Sequence, residues 1–225
     1  MTLLSLLRWV IRNRAWTPFY LVRYWRFAVL KLRHRDVITE GFVLLGKHVD
    51  IDVRPGYGRL VLGAWCQVGD GNKLRAHEGT LRLGEKVVLG TDNVINCYLD
   101  IEIGAATLVA DWVYICDFDH VTDDLATPIK DQGIVKSPVR IGPGSWIGTK
   151  VSVLRGTLVG RGSVLAAHTV ARGEYPEYAV IGGVPGKVIK DRRVAYAEAE
   201  KIRAYLAEIE AAKRDGRPPD LDDAE

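Results

Sequence analysis

The sequence predicts an all-β protein built as a parallel β-helix of hexapeptide repeats, with amphipathic helices before it and a helix after it. Two patterns and one interruption carry that prediction. From Ile141 an aliphatic residue returns every sixth position, at Ile147, Val153, Val159 and Leu165, and glycine directly follows three of the five (Gly142, Gly148, Gly160). Four residues after each aliphatic position stands a small or β-branched residue: Ser145, Val151, Thr157, Ser163 and Thr169. A period of six matches neither the helical period of about 3.6 nor the strand period of about 2, so the backbone must run briefly extended and then turn a corner. Three such sides close a coil of about eighteen residues. One coil cannot cover its own aliphatic column, whereas stacked coils bury a continuous one.

The elements follow in order. Residues 2–12 place Leu3, Leu4, Leu7, Val10 and Ile11 on one helical face, with Ser5, Arg8 and Arg12 on the other. A second helix starts at Thr17, whose hydroxyl is expected to cap it, with Pro18 in the first turn where a missing N–H costs nothing. Arg23, Arg26 and Lys31 break every apolar run well short of the roughly 20 residues a membrane-spanning helix needs. Residues 1–40 therefore form a helical segment with two readings: an interfacial pair with Trp9, Trp16 and Trp25 at headgroup depth, or a cap over the open end of the β-helix. The β-helix domain occupies residues 41–190. Its coils are marked by Leu45-Gly46 and Ile51, by Leu62-Gly63, Val68-Gly69 and Leu74, by Leu83-Gly84, Leu89-Gly90 and Ile95, and by Ile103-Gly104, Val109 and Ile115. Between Ile115 and Ile141 the register is lost, and residues 117–138 form a long excursion. Long ordered loops on rigid scaffolds are where function concentrates. Residues 191–225 supply a helix from Val194 to Lys213, with Ile202, Tyr205, Leu206 and Ile209 at helical spacing, then Gly216, Pro218 and an acidic, disordered tail.

Composition excludes several classes. A net charge of +3 over 225 residues gives no global field for nucleic acid. The charge is uneven: the first 35 residues hold eight Lys or Arg and no acid, which points to peripheral association with an anionic membrane surface. Cys66, Cys97 and Cys116 are odd in number and lack CxxC spacing, so neither a disulfide framework nor a zinc site is expected, and the compartment reads as reducing and cytoplasmic. No small-residue cleavage site follows the N-terminal apolar stretch, so a signal peptide is not expected. A catalytic zinc would need three histidines at one corner, and these histidines do not fall that way; no metal is expected.

The run "VRIGPGSWIGTKVSVLRGTLVGRGSVLAAHTVARGEYPEYAVIGGVPGKVIK", preceded by "DFDH", resembles the left-handed β-helix O-acetyltransferases, the group of galactoside, maltose and surface-polysaccharide enzymes. The resemblance covers about Leu45 to Lys190. Left-handedness is what it implies, since parallel crossovers are right-handed as a rule. It further implies acetyl-CoA as co-substrate, a sugar hydroxyl of a saccharide, polysaccharide or glycolipid as acceptor, and a homotrimer with sites shared between neighbours. The alternatives are a non-catalytic hexapeptide scaffold or binding protein, and an enzyme taking a longer acyl-CoA.

The resemblance also places residues. In such enzymes the catalytic histidine sits in the excursion, one coil before a W-I-G-[ST] segment, which matches His120 ahead of Trp146-Ile147-Gly148-Thr149. An alcohol is too weakly acidic to attack a thioester at neutral pH, so a base with pKa near 7 must take its proton. Asp119 or Asp117 stands near enough in sequence to fix the imidazole tautomer, and Asp117 is also a candidate acceptor contact. The turn at Gly148-Thr149 is the candidate oxyanion donor. Trp146 falls outside the interior column, where pantetheine or a neighbouring subunit would cover it. Ala167 matches the small residue that lets the coenzyme lie close to the coil, and Arg172, Lys187 and Lys190 match cations set against its phosphates. Asn96 matches an asparagine that contacts acceptor hydroxyls; the second asparagine of that motif is replaced by Tyr98, a ring able to stack on a sugar. A covalent route through Cys116 is disfavoured, because nothing near it would lower its pKa.

Overall fold

A computed structural model of the protein describes residues 8, 10–12 and 14–214. Most of the helix expected over residues 2–12, and the whole acidic tail, lie outside the described residues; Arg8 and Val10–Arg12 are helical. The chain divides into two units, Met1–Ile189 and Lys190–Glu225.

The first unit is a parallel β-helix with three sheets, and each complete coil gives one strand to each of them. The first sheet begins at Val37–Thr39 and continues through Gly58–Leu62, Gly79–Leu83, Asp100–Ile103, Val139–Ile141, Leu158–Val159 and Glu174–Tyr175. The second runs from Leu44–Leu45 to Ala179–Gly182 and Lys187–Asp191, and the third from Asp50–Val53 to Val170–Ala171. The solenoid thus starts at Val37, where Val37 pairs in parallel with Leu60, a few residues before the first hexad legible in the sequence.

The hexad column is the core. Ile141, Ile147, Val153, Val159 and Leu165 are all buried, and below them lie Leu60, Leu62, Leu74, Leu81, Leu83, Ile95, Ile101 and Ile103. Each fully buried aliphatic side chain stabilises by about 1.5–3 kcal/mol, so the column dominates the energetics of the unit. The small residues four places on are buried too, and they serve the corners. The Thr157 hydroxyl donates to the Leu154 carbonyl at 2.6 Å, Ser145 to Gly142 at 2.7 Å and Thr169 to Ala166 at 2.7 Å. These corner carbonyls have no strand partner; those of Leu154 and Ala166 accept only a turn N–H at 3.2 Å, and the short hydroxyl adds a closer bond.

Helix α1, Pro18–Arg33, closes the first coil. The Thr17 hydroxyl makes no capping hydrogen bond; its backbone carbonyl instead accepts from the N–H groups of Tyr20 and Leu21, at 2.9 and 3.1 Å. Proline at the first position lets this suffice, since it has removed one donor that a cap would have to meet. Leu30 is buried with Val37 and Val43, Tyr24 and Phe27 pack their rings on Phe42, and Arg26 donates to the Leu45 carbonyl at 3.1 Å. Capping is therefore one role of the segment. In the second unit, helix α2 spans Arg192–Arg214, with Ile202, Tyr205 and Leu206 exposed.

Close stacking constrains the corner glycines. A Cβ on Gly142 would stand 2.4 Å from the Arg161 nitrogen, whereas one on Gly144 would meet nothing but would sit at φ +66°. Gly142→Ala should cost about 3 kcal/mol, because backbone on the neighbouring coil cannot move aside. Gly144→Ala should cost about 1 kcal/mol, from the left-handed conformation alone. Urea denaturation midpoints compare them, and equal losses would contradict this packing.

Candidate functional site

The excursion is an antiparallel ribbon, not an irregular loop: Phe118–His120 pairs with Ile134–Lys136, His120 opposite Ile134. Its base, flank and tip are each fastened. At the base, Asp117 is fully buried and its carboxylate accepts from the N–H groups of Tyr98, Leu99 and Asp100 at 2.7–2.8 Å. The chain leaves the coil there, so these corner N–H groups of the coil below lose the carbonyls a regular coil would offer, and the side chain replaces them. On the flank, the Asp119 carboxylate pairs with Arg155 at 2.6 Å and with Arg172 at 3.4 Å. At the tip, Gln132 donates to the carbonyls of Asp124 and Thr127, both at 2.7 Å.

These contacts correct two expectations. Asp117 is enclosed and its oxygens already serve backbone donors, so it is an anchor of the ribbon and neither touches an acceptor nor orients His120. Asp119 faces guanidinium groups, and no described residue hydrogen-bonds the His120 ring. Its place is to hold the ribbon, and with it His120, against the coils.

His120 is exposed and lines a cavity of about 490 Å³ with Asp119, Asp123, Val135, Arg155 and Arg172. A file of rings approaches it: His77 to Tyr98 at 4.7 Å between centroids, Tyr98 to Phe118 at 4.5 Å, Phe118 to His120 at 6.2 Å. Asn96 lies one coil below Cys116 on the third sheet, hydrogen-bonded to the Tyr114 hydroxyl, and its Oδ1 is buried without a partner. Asn96, Tyr98, Asp119, His120 and Arg172 thus share the prism edge that follows the third sheet. Arg155 was missed by the sequence reading. It stands about one coil before Arg172, since Ser152 pairs with Val170, and that recurrence of arginine at one corner was the available signal.

The remaining candidates lie on another edge. Trp146 is in the second sheet, beside Leu108 and Val164, and is 53% exposed; Gly148, Thr149 and Ala167 follow at the edge between the second and third sheets. The Gly148 N–H donates to the Leu165 carbonyl at 2.8 Å, which removes it as an oxyanion donor, and the Thr149 hydroxyl donates to the Asp111 carbonyl at 2.9 Å. Ala167 is exposed above Gly148, where a Cβ would come 2.7 Å from the Ala167 nitrogen. Arg172 is drawn to Asp119 rather than to the cluster expected with the lysines. Lys187 and Lys190 are exposed in the last strand, and Lys190 opens the second unit. Among the described residues no His/Cys/Asp/Glu group could hold a metal ion.

The chain is 57% identical over 214 residues to the protein described as "Probable acetyltransferase Rv3034c" of Mycobacterium tuberculosis, a match covering 93% of this chain and 71% of that one. It belongs to the hexapeptide-repeat acetyltransferases. It is also 39% identical over 121 residues to the Escherichia coli protein described as "Putative lipopolysaccharide biosynthesis O-acetyl transferase WbbJ", covering 48% of this chain and 62% of that one. Among solved structures it resembles AntD, an N-acyltransferase from Bacillus cereus held with dTDP and 3-hydroxybutyryl-CoA, with a TM-score of 0.62 at 16% identity over 77% of this chain and 94% of that one. No family model matches the chain. The acetyltransferase therefore has the parallel β-helix that the hexad repeat predicts, and it is an acyltransferase enzyme.

The thiols of this acetyltransferase are poor nucleophiles. Burial pushes Cys66 up to about 11 and Cys97 up to about 12, the latter helped by the Asp117 carboxylate, and burial also raises Cys116. A thiol whose pKa is raised stays protonated through pH 8, and the thiolate is the reactive form. Iodoacetamide at pH 8 should therefore label the native protein at least about tenfold more slowly than the urea-unfolded chain. A native cysteine reacting at the unfolded rate would contradict the burial described.

Proposed function

We propose that the enzyme transfers acetyl from acetyl-CoA to a sugar hydroxyl of a saccharide, polysaccharide or glycolipid, with His120 as general base. The observation that carries this reading is His120 itself: the exposed imidazole on a ribbon fastened at base, flank and tip, opening onto a cavity. One imidazole nitrogen takes the proton of the acceptor hydroxyl as its oxygen attacks the thioester carbonyl carbon. The tetrahedral intermediate then collapses, the C–S bond breaks, and the imidazolium returns the proton to the departing thiolate of coenzyme A. Rigid positioning matters because a base acts only within hydrogen-bond reach of the proton it abstracts. Asn96 and Tyr98 lie on the same edge and belong to the proposed acceptor side, Tyr98 as one of the file of rings that leads to His120. The likeness to a protein named as an O-acetyl transferase supports oxygen as the nucleophile.

The chain alone holds His120 on one edge and Trp146, Thr149 and Ala167 on another. We therefore assign the working site to a homotrimer, in which the His120 edge of one protomer faces the Trp146 edge of the next. Two exposures support this: Trp146 and Leu108 form an uncovered apolar pair on the second sheet, and Leu125, at the ribbon tip, is 99% exposed. Identical contacts around a threefold axis would cover both. The thioester and its pantetheine would lie in that cleft, with Ala167 leaving room and Lys187 beside the phosphates.

Two measurements test these readings. His120→Ala should lower acetyl-CoA turnover with a panel of sugars by at least about a hundredfold while coenzyme affinity hardly changes; near wild-type turnover, or transfer to amino groups only, would overturn the proposal. In the second, two inactive variants, His120→Ala and Trp146→Ala, are mixed after dissociation and reassembly. Shared sites should restore about one quarter of wild-type activity, because random assembly pairs an intact His120 edge with an intact Trp146 edge in about one site of four. No recovery, with the mixed trimer confirmed by mass, would place each site within one protomer.

A further inference from the structure

Helix α1 carries two apolar faces, and the cap uses one. Leu30, Phe27 and Tyr24 meet the first coil, while Leu21, Trp25 and Leu32 lie along the opposite side, with Trp25 70% and Leu32 74% exposed. A helix serving only as a cap would carry polar residues there. The charges beside that stripe are of one sign. Arg33 and Lys47 line, with Trp25 and Arg26, a cavity of about 460 Å³ between the helix and the first coil. Among the described residues no acidic one lines it, and Asp70, on the next coil, accepts the Lys47 backbone N–H at 2.7 Å. The cavity floor is aliphatic, including Val29 and Leu45. Apolar side chains flanked by cations, over a cavity that is basic at its rim and aliphatic at its base, complement an amphiphile with a phosphate head and a hydrocarbon tail. No described helix is long and apolar enough to cross a membrane.

We propose that the outer face of α1 and the cavity beside it seat the enzyme on an anionic phospholipid surface, with Trp25 and Leu32 in the interface and Arg33 and Lys47 on lipid phosphate. This does not rest on the acceptor reading above; it bears on it because an acceptor carried by a lipid would be held at the same surface. Neither residue pair belongs to the candidate active site, so basal turnover on a soluble acceptor should not change when they are altered.

Flotation of the full-length enzyme tests it, using vesicles of phosphatidylcholine alone and vesicles with about one third phosphatidylglycerol, at low and high salt. The wild type should float with the anionic vesicles at low salt and lose most of that binding at high salt. The charge variant Arg33→Glu/Lys47→Glu and the apolar variant Trp25→Ser/Leu32→Ser should each bind at least about tenfold less. Wild-type protein that stays at the bottom with anionic vesicles would overturn the proposal, as would equal flotation with neutral ones. So would an apolar variant that floats normally but has a smaller mass by light scattering, since the stripe would then be a contact between copies of this chain. Binding of the wild type does not depend on whether either variant folds.

Discussion

The inward aliphatic side chains of each coil are covered by the adjoining coils and by little else. Leu81 lies against Leu60 below and Ile101 above, Leu83 against Leu62 and Ile103, and the same parallel register joins their backbones. Such a core grows by addition and has no natural end, so its first coil leaves both an open apolar floor and unpaired strands. Helix α1 meets the first of these needs by burying Leu30 against Val37 and Val43. Stacking also dictates the corners, where glycine allows the approach of successive backbones and short hydroxyls donate to the carbonyls that the turn directs inside.

The same ladder defines what it takes to leave it. Ile101 pairs with Val139, as Leu81 pairs with Ile101, although the whole excursion separates the first two in sequence. A chain that departs leaves three N–H groups of the coil below without their carbonyls, each costing about 1–3 kcal/mol if left buried and unpaired. Asp117 supplies one carboxylate for all three, and Asp119 then ties the first strand of the ribbon to Arg155 and Arg172 on later coils. The two acidic residues flanking Phe118 thus make the excursion an ordered element. A reactive group gains from such a base, because positioning to within a fraction of an ångström requires neighbours whose own rotamers are locked.

A triangular solenoid sorts side chains by edge, and this has a functional consequence. Residues separated by one coil share an edge, as Tyr98 and Phe118 do, while residues a few positions apart occupy different ones. His120 and Trp146 are close in motif and far in location. A prism with its chemistry divided between two edges is complete only where edges of different copies meet, which is why the proposed trimer is part of the proposed mechanism.

The sequence by itself determined the repeat. Its period of six, its glycines and its small residues each have a local physical cause, and the buried column from Ile141 to Leu165 with Ser145, Thr157 and Thr169 beneath the corners follows from them directly. It also marked the excursion over residues 117–138, because an interruption in a regular pattern is visible without any long-range information. Tertiary structure alone decided the partners. Asp117 and Asp119 look alike in sequence, yet one faces the backbone of the preceding coil and the other faces arginines of the following ones. Arg155 and the Gly148 N–H were likewise assigned by what the neighbouring coils placed against them. The reason is the geometry of stacking: a hexad register specifies which side chains point inward, whereas the partner of an outward polar group is set by the coil above or below, tens of residues away along the chain.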